Sequence, residues 1–149
     1  MVVFMQYEER IKNCLKDLKI VGAGAIFHSH YSVSGFGNEN KEWHYNVCFH
    51  TYNYSYNHIS LNPCTSIESP NAFVFNLSKD STVRVETDAE RNCYWLFSVI
   101  CRIEYKEFEG GEKVMYKGIL KEKPLARFKK EKRQFIKKQF RHLVGQANH

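Results

Sequence analysis

The 149-residue chain has no run long and apolar enough to cross a membrane. Its longest uncharged stretch, from Trp43 to Ile67, is full of Asn, Ser, Tyr and His. Only five residues precede the first polar one at the N-terminus, fewer than the apolar segment of a secretory signal requires. The five cysteines, Cys14, Cys48, Cys64, Cys93 and Cys101, are odd in number and form no Cys-x-x-Cys. Reduced thiols in a cytoplasmic location are therefore expected. Asn53-Tyr54-Ser55 and Asn76-Leu77-Ser78 match the glycosylation pattern but mean nothing outside a secretory pathway. There is no internal repeat, low-complexity segment or linker, so residues 1–149 are expected to form a single domain. RNP-type motifs, a KH loop and zinc fingers are missing. No residue pattern argues for flavin or haem.

Aromatic residues make up 15% of the chain, which a disordered segment would lack, so the chain should fold. Phe4, Tyr7, Ile11, Cys14, Leu15 and Leu18 recur at helical spacing, which predicts an amphipathic helix over 4–19. From 20 to 120 the period becomes two. Trp43, Tyr45, Val47 and Phe49 fall on one face of a strand, and His44, Asn46, Cys48 and His50 on the other. Further strands are predicted at Ala23–Ser34, Asn53–Leu61, Ala72–Leu77, Thr82–Glu86, Tyr94–Phe108 and Lys113–Leu120. Asn62-Pro63 reads as punctuation between strands, and Gly110-Gly111 as a hairpin turn. Pro124 opens a second helix that Gly145 should end, giving a helix over 124–145. The expected fold is α+β. About seven mostly antiparallel strands form a curved sheet or small barrel, with an N-terminal helix and a basic amphipathic C-terminal helix.

The net charge of +6 is unevenly placed. Residues 121–149 hold ten Lys or Arg against two acids, whereas the first 120 hold twelve against fourteen. On a helical wheel Leu125, Phe128, Phe135, Ile136, Phe140 and Leu143 form one stripe. Arg127, Lys130, Lys137, Lys138 and Arg141 lie opposite, and Lys129 and Lys132 sit near the stripe's centre. The helix is expected to dock on the sheet and turn a cationic face outward. That face suits an anionic partner, nucleic acid above all, with salt-sensitive affinity. Tyr52, Tyr54 and Tyr56 alternate along one strand and would stack bases if exposed. A protein partner or inhibitor target meeting the same tyrosines is a further expectation.

A hydrolytic reading rests on histidine. Five of the seven histidines fall between 28 and 58. His28 and His30 share a strand face, and His44 or His50 could complete a metal site with an open position for water. His30-Tyr31-Ser32 and His58-Ile59-Ser60 both match His-x-Ser, which resembles the paired motifs of two-histidine phosphoesterases. That resemblance implies that one of His30 and His58 takes a proton and the other donates one, while Ser32 and Ser60 hold phosphate oxygens. Glu104-Tyr105-Lys106, with Asp88 upstream, matches the short pattern of a metal-dependent nuclease. Cys48 shares a face with His44 and His50, the parity that a thiol nucleophile would need.

Overall fold

The computed structural model describes residues 24–48, 58–84, 92–110 and 112–147. The helix expected over 4–19 lies outside them. Among the described residues, seven strands form one antiparallel sheet: β1 (Ala25–His30), β2 (Trp43–Cys48), β3 (His58–Thr65), β4 (Ala72–Asn76), β5 (Asn92–Leu96), β6 (Cys101–Glu104) and β7 (Val114–Ile119). Short helical turns α1 (Tyr31–Ser34), α2 (Leu77–Asp80) and α3 (Tyr105–Gly110) interrupt them, and α4 (Glu122–Ala147) follows the last strand. The strand order is β4-β5-β3-β2-β1-β7, with β6 beside β5 on the same edge of β3. Among the described residues the sheet is not closed into the small barrel expected as the alternative. The stretch after α2 reaches the far edge instead, where the Thr82 amide donates to the Ile119 carbonyl at 2.9 Å. Gly118 permits that approach, because a Cβ there would stand 2.9 Å from the Val83 nitrogen.

Period-two alternation is what the sheet obeys. Ile26 pairs with Val47 and His28 with Tyr45, so Trp43, Tyr45 and Val47 share one face as the sequence predicts. That face is covered by α4. Phe73, Phe75 and Trp95 stack there, with Phe75 and Trp95 centroids 3.5 Å apart. Phe128 of α4, fully buried, meets Phe73 edge-on at 5.4 Å. The opposite face buries Phe27, Leu61 and Ile103, and Phe108 of α3 packs edge-on against Phe27 at 5.3 Å.

Several departures from the sequence pattern have identifiable physical causes. Tyr31–Ser34, expected to extend β1, turns helical because His30 caps its start and Gly35, at φ 73°, closes its end. Asn62-Pro63 lies inside β3 rather than between strands. Proline gives no ladder proton and is tolerated at bulges, and Pro63 sits where the partner strand breaks. Leu61 opposes Cys101 and Cys64 opposes Trp95, so three steps on β3 span six on the partner. The excess loops out between β5 and β6, and the Asn62 amide donates to the Leu96 and Val99 carbonyls at 3.1 and 2.8 Å. The single strand expected over Tyr94–Phe108 is therefore β5, a loop, β6 and part of α3. The Gly110-Gly111 hairpin is also not formed: β6 pairs with β3 and β7 with β1. Counted across the antiparallel order, β6 and β7 run the same way, which requires a crossover and not a tight turn.

Pro124 is the third residue of α4 rather than the first, still within the turn where a missing N–H costs nothing. The helix also runs past Gly145 to Ala147. Asn76 caps α2 by accepting from the Lys79 amide at 2.9 Å, while Asp80 accepts from the Asn76 amide at 2.7 Å.

Candidate functional site

The first half of α4 is the docked half. Leu125 and Phe135 are half-buried, Phe128 is fully buried, and Lys132 is enclosed with them. The Lys132 ammonium donates to Asn62 Oδ1 at 2.7 Å, which ties the helix to the break between β5 and β6. Ile136 and Phe140, expected in the buried stripe, are 48% and 67% exposed.

The cations divide into two groups. Arg127 is held by the protein itself. It donates to the Val74 carbonyl at 3.0 Å, lies 3.7 Å from Glu131 and 4.0 Å from Asp80, and covers the Phe73 ring at 4.6 Å. Among the described residues expected to bind an anion, it is the one that carboxylates already accompany. Lys130, Lys137, Lys138 and Arg141 are exposed. Among the described residues no carboxylate pairs with any of the four. Lys137, Lys138 and Arg141 line a groove of about 490 Å³ with Gln134, Phe135 and Phe97. Asn71 and Ala72, at the start of β4, form its far wall, and Glu131 is the one acid in it. The groove thus joins an apolar floor to a cationic lip. Tyr52, Tyr54, Tyr56 and His50 lie outside the described residues.

The histidines separate. His28 stacks on Tyr45 at 4.4 Å and lies 5.2 Å from Trp43. Burial, then the charges of Lys117 and His44, lowers its pKa to about 4. His44 faces the other side of the sheet, opposite Ser29, so β1 and β2 do not bring it to His28 and His30. Burial, then Lys41, lowers its pKa too. Among the described residues its Nδ1 and Asn46 Oδ1 have no hydrogen-bond partner. The Asn46 amide instead donates to Ser29 Oγ and to the His44 carbonyl. Cys48 continues the His44 face. Among the described residues no group of three or more His, Cys, Asp or Glu is placed to hold a metal ion.

His30 and His58 are also apart. His30 pairs with Trp43 at one end of the sheet, whereas His58 begins β3 at the other end. The register separates them by roughly eight residues, or about 26 Å. His30 does meet its own serine: its Nδ1 stands 2.7 Å from Ser32 Oγ and accepts from the Ser32 amide at 3.2 Å. Its Nε2 lies 3.8 Å from Glu42. Ser60 pairs with Arg102 and His58 with Glu104. Glu104 and Lys106 form an exposed ion pair at 3.1 Å, the local arrangement of a solvated surface.

Periodicity could not find Glu42, which joins His30 only through the β1–β2 pairing, nor Asn62, whose role depends on the loop beside it. No family model matches the chain, and no curated protein matches it. No helix among the described residues is long and apolar enough to span a membrane.

Proposed function

We propose that this protein is an intracellular binding module that takes a nucleic acid along the cationic edge of α4. One observation carries the reading: Lys130, Lys137, Lys138 and Arg141 stand on a helix anchored by Phe128 and Lys132, exposed and without carboxylate partners among the described residues. A row of cations on one helix releases condensed counterions from phosphates on binding, with no carboxylate among the described residues to be displaced first. The apolar floor beside Lys137 and Arg141 could receive a sugar or base edge. Replacing the four cations with Glu, while Arg127 is kept, should abolish binding to RNA and DNA at low salt and leave the circular dichroism spectrum unchanged. Undiminished binding by the variant defeats the proposal. A partner retained after nuclease digestion would assign the surface to a protein instead.

A second reading is favoured by the order Ser32 hydroxyl, His30 imidazole, Glu42 carboxylate, which is the sequence of groups in a small hydrolase with a serine nucleophile. Ser32 is exposed and open to a substrate. Ester hydrolysis that persists after His30→Ala and Ser32→Ala would eliminate it.

A further inference from the structure

Two thiols meet on the α4 side of the sheet. Cys64 of β3 opposes Trp95 of β5, so Cys93, two residues before Trp95, lies diagonally from Cys64 on the same face. The two thiols are close enough for Cys93 to act on the ionisation of Cys64. Cys64 is buried, Cys93 is partly exposed, and neither is in a disulfide. Both belong to one apolar cluster with Tyr45. Burial, and then the contact with Cys93, holds the Cys64 thiol well above its ordinary pKa. A buried thiol in contact with a more exposed one is the arrangement of a resolving and a peroxide-accessible cysteine.

We propose that Cys64 and Cys93 are a reversible redox pair, which hydrogen peroxide converts into a disulfide between β3 and β5. The Cys93 sulfur attacks one peroxide oxygen and the O–O bond breaks. Cys93 becomes a sulfenic acid, and the departing hydroxide takes the thiol proton to leave as water. The Cys64 sulfur then attacks the Cys93 sulfur, the S–O bond breaks, and the second hydroxide leaves as water with the Cys64 proton. Two thiols are oxidised and one peroxide is reduced to two waters.

Diagonal strand neighbours stand about 7–8 Å apart between Cα atoms, and a disulfide draws them to about 6 Å. The strands can make that adjustment here. The β3–β5 ladder is only two residue pairs long and borders the looped-out stretch before β6.

The pair is separate from the cationic edge of α4, so its test is independent of nucleic-acid binding. Wild-type protein is treated with peroxide, alkylated and mapped as non-reduced peptides. The expected product is a Cys64–Cys93 cross-linked peptide, two hydrogens lighter than its reduced halves and lost on adding dithiothreitol. Cys93→Ser removes it. Cys64→Ala leaves a Cys93 sulfenic acid that dimedone captures. Should Cys64→Ala not fold, the wild-type map alone decides. Progression of Cys93 to the sulfinic acid without a cross-link, or a disulfide to any other cysteine, overturns the proposal.

Discussion

Lys132 makes a stability curve whose sign can be stated in advance. The side chain is 4% exposed, its ammonium donates to Asn62 and stands 5.9 Å from the centre of the Phe97 ring. Burial lowers its pKa from 10.5 to about 8. Between those two values the unfolded chain keeps a proton that the folded chain has released. Raising the pH through that window therefore favours the folded state. The whole shift corresponds to about 3 kcal/mol, and with solvent screening about 2 kcal/mol should develop between pH 7 and pH 10. Cys101 opposes this at the alkaline end, because burial raises its thiol to about 11 and the folded chain then holds the extra proton. Cys64, Tyr45 and Tyr116 act in the same direction. The difference between wild type and Lys132→Met cancels those groups. Urea unfolding at pH 7, 8, 9 and 10 should show wild type gaining on the variant by that amount as pH rises. Parallel curves would refute the assignment of a buried, partly deprotonated Lys132.

Phe128→Ala should cost about 3–5 kcal/mol, since it removes the ring that α4 inserts against Phe73 and Trp95; a thermal scan that shifts by less than a degree or two would contradict the docking. His28 gives the acid-side counterpart. Its folded pKa of about 4 lies below the 6.5 of the free side chain, so stability should fall as pH drops from 6.5 toward 4. The half-buried ring makes the loss about 1–2 kcal/mol after screening, and His28→Phe should flatten that limb in denaturant titrations.

Alternation made the sheet readable. Trp43, Tyr45 and Val47 share a face because side chains on a strand repeat every two residues, whatever the neighbours are. The C-terminal helix was readable for the same reason with a period of 3.6. Strand partners were not, because pairing depends on contacts that local pattern does not contain. Gly110-Gly111 looked like a hairpin, yet Phe108 is drawn onto Phe27 and the chain crosses to the far edge. Asn62-Pro63 looked like a turn, yet its missing ladder proton is tolerated beside the looped-out β5–β6 stretch. The candidate site divides likewise. Lys130, Lys137, Lys138 and Arg141 were visible as charge, but the capture of Arg127 by Asp80, Glu131 and Val74 is a tertiary event. Ile136 and Phe140 fit the apolar stripe on a wheel, yet they are exposed, because a wheel cannot show which positions the rest of the fold covers.

The central claim is that the four cations of α4 act together on phosphates. The most direct measurement is the salt dependence of binding to a labelled single-stranded RNA, read by fluorescence anisotropy. Four phosphates neutralised on a single strand give a slope of about −3 for log affinity against log salt. Each single replacement among Lys130, Lys137, Lys138 and Arg141 by Gln should make that slope shallower by roughly 0.7, whereas Arg127→Gln should leave it unchanged. A flat line for the wild type, or a slope indifferent to all four replacements, would contradict the account.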